Sequence, residues 1–187
     1  MGKVKGTTIA GRLAYARRRG GDEAVQKVVA AIRDPEAKLD LADGRALKSS
    51  WYPFSALIDI SVELDRLYGS GDLSLLVEVG GDVAEADLNS VYKIFFKVAN
   101  PQFIIDRAAS VWRSYYSSGT CRVEKKAPNH VILELADFDE PHRAHCNSVL
   151  GWAARMLTLS SCKDLVAEHI LCRTEGGATC RFEAHWT

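Results

Sequence analysis

Through the first part of the chain, apolar residues recur at three- and four-residue intervals, the spacing of one helix face. Ile9, Leu13 and Ala16 predict a helix over 6–19, with Thr7 or Thr8 as its cap. The run Arg17-Arg18-Arg19 before Gly20-Gly21 suits a helix C-terminus, where the backbone dipole favours cations. Asp22 caps a second helix with Val25, Val28, Val29 and Ile32 on one face, and Pro35 closes it. The stretch 36–50 is weakly patterned and reads as a short helix and a loop. Trp51-Tyr52-Pro53-Phe54 opens a third helix to about Tyr68, carrying Leu57, Ile58 and Val62 and ended by Gly69-Ser70-Gly71. A longer helical stretch covers 72–99. Gly80-Gly81 interrupts it, and because an interior glycine costs about 1 kcal/mol relative to alanine, the pair marks a kink or a close helix crossing. Asn100-Pro101 then starts a helix through Trp112 and Tyr115, which stops at Ser117-Ser118-Gly119.

Beyond Gly119 the period changes. Residues 120–125 and 130–136 are rich in Val, Ile and Leu, with Pro128-Asn129 between them, and read as a hairpin. Glu140-Pro141 begins a helix to Leu159, with Cys146, Val149, Leu150, Ala153 and Leu157 on one face. A closing hairpin turns at Gly176-Gly177, where two glycines supply positive φ. The pattern predicts an α+β fold: a helical N-terminal half packed on a small antiparallel sheet, with a ββαββ C-terminal unit, all in one domain spanning 1–187.

Composition narrows the function classes. Lys plus Arg equals Asp plus Glu at 24 each, without the basic excess of a dedicated nucleic-acid binder. No stretch approaches the roughly 18 apolar residues of a membrane span, and no apolar signal segment is evident at the N-terminus. A cytoplasmic protein is the expectation, with its 5 cysteines as thiols or metal ligands rather than disulfides.

Catalytic motifs are missing. There is no phosphate loop, dinucleotide fingerprint, Gly-x-Ser-x-Gly elbow or His-Glu-x-x-His pair, so a non-enzymatic protein is expected. The acidic run 137–140 reads as a strand-to-helix loop. The sharpest chemical signal is His169-x-x-Cys172 with Cys180 across the turn and Cys146 on the preceding helix. Three sulfurs and an imidazole can hold a structural zinc, or they can be buried core residues. Residues three apart in a regular strand point to opposite faces, so either the strand ends or bulges before Cys172, or Glu168 replaces His169 as fourth ligand. The aromatics are mostly core by their helical spacing. A pocket lined by some of them between helices and sheet would suit a flat apolar ligand.

In order along the chain, 5–9 (KGTTI), Trp51-Tyr52-Pro53, 80–92 (GGDVAEADLNSVY), Asn100-Pro101, Trp112 with Gly119, 146–151 and Cys172-x7-Cys180-x-Phe182 resemble the 4-vinyl-reductase-like (V4R) superfamily. That group is related to heme nitric-oxide-binding domains and to Bet3-like tethering subunits, and the likeness is greatest to a branch abundant in myxobacteria. The resemblance spans nearly the whole chain and implies the same helix-on-sheet fold. It implies a structural zinc held by three Cys, which map to Cys146, Cys172 and Cys180, and by an acidic residue whose position is occupied here by His169. It also implies a small aromatic ligand between helices and sheet. Heme is not expected: no His precedes His130, and Tyr115-Tyr116-Ser117-Ser118 lacks the spaced Ser and Arg of the propionate motif.

The expected function is therefore a sensory or regulatory module that binds a small hydrophobic or aromatic molecule. Trp51, Tyr52, Phe96, Phe103, Trp112 and Trp152 are the expected ligand-binding residues, and Cys146, His169, Cys172 and Cys180 the expected zinc ligands. Its signal would pass through a homodimer or to a separate protein partner. The alternative is a dimerising scaffold module of Bet3 type without a free ligand. An enzyme acting on a vinyl or tetrapyrrole substrate has no catalytic residues to support it.

Overall fold

The computed structural model describes residues 2–88 and 101–187. A short strand β1 (Lys3–Lys5) leads into helix α1 (Gly6–Ala30). The helix is two arms meeting at Gly20 and Gly21, and Gly21 has φ 66°, a left-handed conformation that glycine adopts without steric cost. Asp34 caps the short α2 (Pro35–Asp40) by accepting from the Ala37 N–H at 2.8 Å. Pro35 thus starts a helix, at the first position where its missing N–H costs nothing, rather than closing the one before.

Trp51–Pro53 is a strand, β2, and not the first turn of a helix. It pairs antiparallel with β1, Val4 opposite Tyr52, and α3 (Phe54–Tyr68) begins only after Pro53. Proline at that boundary fixes an extended entry into the helix. Helix α3 packs on α1 and buries Leu57, Ile60 and Leu64, while Phe54 at its start packs on Phe138 and His145. Asp59 is also buried there and accepts from both the backbone and the guanidinium of Arg33, each at 2.9 Å.

Helices α4 (Leu75–Leu88), α5 (Pro101–Tyr115) and α6 (Arg143–Leu159) complete the helical layer. Gly80-Gly81 is helical, so the pair marks a close crossing rather than a break. A Cβ on Gly80 would lie 2.9 Å from the Ser148 carbonyl carbon, and one on Gly151 would lie 2.7 Å from that of Val77. The backbones of α4 and α6 therefore touch through two reciprocal glycines.

The sheet has the order β3-β4-β6-β5 and is antiparallel throughout: β3 (Thr120–Ala127), β4 (His130–Ala136), β5 (Val166–Leu171) and β6 (Cys180–His185). The register sets Leu135 beside Cys180, Leu133 beside Phe182 and Val131 beside Ala184. Alternate residues of β6 (Cys180, Phe182 and Ala184) are buried, as two-residue periodicity requires of a sheet covered on one face. The α+β class and the ββαββ unit agree with the sequence pattern. No helix among the described residues is long and apolar enough to cross a membrane.

Candidate functional site

Four of the predicted residues converge. One ligand atom each from Cys146, His169, Cys172 and Cys180 lies within 4.8 Å of all the others. Cys146 sits in the first turn of α6. Strand β5 stops at Leu171 and its register slips between His169 and Leu171. Cys172 is thereby released from strict alternation and turns to the same side as His169. The chain then makes a 3₁₀ turn over Arg173–Glu175, with Gly176 left-handed at φ 88°, and returns Cys180 as the first residue of β6. Glu168, the alternative ligand, is exposed.

The geometry of the cluster is specific. Cys146 Sγ and Cys180 Sγ are 3.7 Å apart, too far for a disulfide. Two thiolates about 2.3 Å from one tetrahedral ion would stand roughly 3.8 Å apart. The Arg173 N–H points at Cys180 Sγ at 3.4 Å, and Nε2 of His169 is buried without a hydrogen-bond partner among the described residues. Hydrogen bonding from Cys146, with help from His169 and Arg173, pulls the Cys180 thiol down to about 4 and pushes Cys146 up. Cys121 and Cys162, outside the cluster, are raised by burial alone, to about 12 and about 11. They are ordinary buried thiols, whereas the cluster is a Cys₃His donor set.

Behind this cluster lies an apolar cavity of about 270 Å³. Helix α5 supplies Phe103, Ile104 and Val111, α6 supplies Leu150, Trp152 and Met156, and the sheet supplies Val123, Leu133 and Phe182. A second cavity of about 80 Å³ is walled by Thr8, Arg12, Val83, Trp112, Tyr115, Tyr116 and Ser148. Ala108, Val111, Leu133, Trp152 and Ala153 line both. The cluster and the larger cavity share walls: His169 stacks on Phe182 at 4.4 Å between ring centroids, and Cys146 anchors the helix that carries Leu150 to Leu157.

The predicted aromatics divide. Phe103 and Trp152 line the larger cavity, and Trp112 and Trp152 line the smaller. Trp51, 40 % exposed beneath the Lys5 ammonium, and Tyr52, whose hydroxyl accepts from Leu47 N–H at 3.0 Å, line neither. Phe96 lies outside the described residues. Trp112 is largely spent on packing. With Tyr116, Phe54 and Phe138 it encloses the buried His145, whose ring is pushed down to about 3 by burial first and then by the nearby Arg12 charge.

No family model matches the chain, and no curated protein does. Solved structures do. An H-NOX protein of S. oneidensis in its Fe(II)NO ligation state superposes with a TM-score of 0.75 at 13% identity, covering 98% of this chain and 99% of that one. The Fe(II) unliganded H-NOX protein of K. algicida gives 0.72 at 17% identity, over 98% and 96%. A further structure, described as probing the function of heme distortion in the H-NOX family, gives 0.72 at 11% identity, over 98% and 95%. The fold is that of the H-NOX proteins.

That likeness corrects one expectation. The sequence lacks the helix histidine and the propionate motif, yet an H-NOX structure described by its heme distortion shares this fold along nearly its whole length. Missing a sequence motif is therefore no ground for excluding heme. The larger cavity is walled by apolar side chains, with Arg107 at its edge. For iron, the Met156 thioether is the axial-ligand type present among its described lining residues.

Most cavity walls are aliphatic, and sequence reasoning missed them. Ile104, Val111, Leu133 and Met156 look like any other core residue in a helical or alternating pattern. The usable signal was one of quantity, since α5 and α6 both present large apolar residues to the same sheet face.

Proposed function

We propose that the chain is a sensory small-molecule-binding module in which a hydrophobic ligand occupies the cavity between α5, α6 and the sheet. The observation that carries this reading is the cavity itself: about 270 Å³ walled almost entirely by carbon, where a well-packed interior would leave few voids larger than a water molecule. The H-NOX likeness supports a ligand-sensing role, and heme belongs among the molecules to be tried. If bound, it would supply an iron for small gaseous ligands, while this chain's residues enclose the macrocycle and exclude water. The cluster of Cys146, His169, Cys172 and Cys180 serves in this reading as a closed structural zinc site, with all four positions taken by protein and none left for chemistry. It ties α6 to the hairpin and so fixes two walls of the cavity. The output is received by a second copy or a separate protein.

The test is binding of N-phenyl-1-naphthylamine, followed by its fluorescence, and of hemin, followed by absorption. Val111→Trp fills the region common to both cavities. The wild type is expected to bind at least one of the two probes, and the variant to bind it about tenfold or more weakly, as loss of a buried apolar contact surface predicts. Val111→Trp melting like the wild type but binding equally well would show that the probe sits elsewhere. A wild type that takes up neither probe would overturn the reading.

A further inference from the structure

The smaller cavity contains an unusual charge. Arg12, on α1, is 3 % exposed. Its Nε donates to Ser61 Oγ at 2.8 Å, Nη1 to the Thr8 carbonyl at 3.2 Å and Nη2 to Ser148 Oγ at 2.7 Å. All three acceptors are neutral, and among the described residues no carboxylate forms an ion pair with it. A guanidinium has five N–H donors, so one on each terminal nitrogen is left over. Burying a charge without a counter-charge is costly, and proteins normally pair it. Burial lowers Arg12 itself to about 10, against an opposing effect of the nearby Tyr116, and His145 is lowered by burial first and then by the Arg12 charge. The half-buried Arg181, by contrast, pairs with Glu124 and Glu134.

Arg12 also faces space. It lines the smaller cavity with Thr8, Ser148 and Tyr116, and that cavity adjoins the apolar one through Val111, Leu133 and Trp152. A polar end with one fixed positive charge thus opens onto an apolar end with none buried. Arg107, the cation lining the larger cavity, is exposed and set over the Phe103 ring at 3.6 Å, so it stays at the solvent side.

We infer that the ligand is an apolar molecule with a single carboxylate, whose head pairs with Arg12 in the smaller cavity and whose body fills the larger one. This rests on the cavity reading above and adds the chemistry of the head group. Two free N–H donors on adjacent nitrogens match the two oxygens of a carboxylate, and charge-assisted pairs of this kind are the strong hydrogen bonds. One positive charge balances one negative charge, so a monocarboxylate leaves the site neutral where a phosphate dianion would leave a net charge in a dry pocket. The Ser148 and Thr8 hydroxyls add polar surface at the same end.

Matched acid and alcohol pairs test the assignment: decanoate with 1-decanol, and 2-naphthoate with 2-naphthalenemethanol, each titrated calorimetrically into the full chain. The wild type is expected to bind the acid of at least one pair about tenfold to a hundredfold more tightly than its alcohol, the range expected of a hydrogen bond to a charged group. Arg12→Met is expected to abolish that preference while keeping alcohol binding, and Arg12→Lys to retain part of it. Equal binding of acid and alcohol by the wild type overturns the head-group assignment and leaves the cavity reading standing. No binding of any of the four probes overturns the head-group assignment, and the cavity reading falls with it where N-phenyl-1-naphthylamine and hemin are not taken up either. The wild-type comparison decides the question even where Arg12→Met fails to fold.

Discussion

Gly151→Ala is expected to lower the stability of the fold by on the order of 3 kcal/mol, a fall of roughly 10 °C in Tm for a chain of this size. The sign is informative, because helix propensity alone predicts the opposite. An interior alanine is favoured over glycine by about 1 kcal/mol, so a glycine with open space beside it would gain from the change. At Gly151 the new Cβ would stand 2.7 Å from the carbonyl carbon of Val77 and 2.9 Å from its Cα. Both are backbone atoms of α4 and cannot swing away as a side chain can. Gly80→Ala meets the same obstacle from the other side, in the carbonyl of Ser148. Gly81 provides the control within the same pair. Its Cβ would meet Arg155 Cβ and the Gly151 carbonyl at 3.8 Å, ordinary contact, so Gly81→Ala should be neutral or mildly stabilising. Thermal melts of the three variants check the crossing; equal melting of Gly80→Ala and Gly81→Ala would show that the helices are not in backbone contact.

The consequence reaches the proposed ligand site. Helix α6 is held against α4 by Gly80 and Gly151, and the same helix presents Trp152, Met156 and Leu157 to the larger cavity. A shift at the crossing moves a cavity wall. Even a partly tolerated Gly151→Ala should therefore weaken binding of an apolar probe more than an equally destabilising substitution far from α6.

These dependencies were unevenly legible in the sequence. The helices announced themselves because long amphipathic segments average over many residues, and the hairpins did so through alternation and turn residues. Trp51–Pro53 did not. A three-residue strand has no period to detect, and its partner at Lys3–Lys5 is far away along the chain. The Gly80-Gly81 pair could be recognised as special, but whether it bent its own helix or admitted another depended on where α6 lay. The spacing of the candidate metal ligands was visible, while the choice between Glu168 and His169 depended on a register slip between His169 and Leu171 that no residue type dictates. Arg12 was hidden most completely. It stands in a helix with three further arginines, 17–19, and a residue type that is normally solvated gave no sign of being buried. Aromatic residues drew attention as pocket walls, yet Trp112 spends its surface on Tyr116, Phe138 and His145, and aliphatic side chains do most of the enclosing.

Removal of the proposed zinc is expected to have the largest effect of all. Protein purified without chelator should contain about one zinc per chain, since a closed Cys₃His set takes one tetrahedral ion. Extracting it leaves two thiols 3.7 Å apart and a buried imidazole nitrogen with no partner among the described residues, held by a strand end and a 3₁₀ turn with little apolar surface of their own. Metal binding is folding free energy in such a site, and its loss should cost on the order of 5 kcal/mol. That corresponds to a fall of roughly 10–20 °C in Tm. Cys180→Ala should reproduce the loss with its zinc content, whereas Cys121→Ala, which removes a buried thiol outside the cluster, should keep the metal and lose about 1 kcal/mol. His169→Ala and Glu168→Ala separate the two candidate fourth ligands: the first should lower metal retention and the second should not. Cobalt substitution gives an independent reading, because tetrahedral thiolate ligation produces visible d–d bands and a near-ultraviolet charge-transfer absorption that diminish when a cysteine ligand is lost. Zinc-free protein that melts with the native protein, or Cys180→Ala and Cys121→Ala variants that lose stability equally, would make the four residues a packed core cluster. In the expected case chelation should also weaken apolar-probe binding, since the site joins the α6 wall of the cavity to Phe182 through the ring of His169. That coupling between metal content and ligand affinity is the property by which a clamp differs from a bystander.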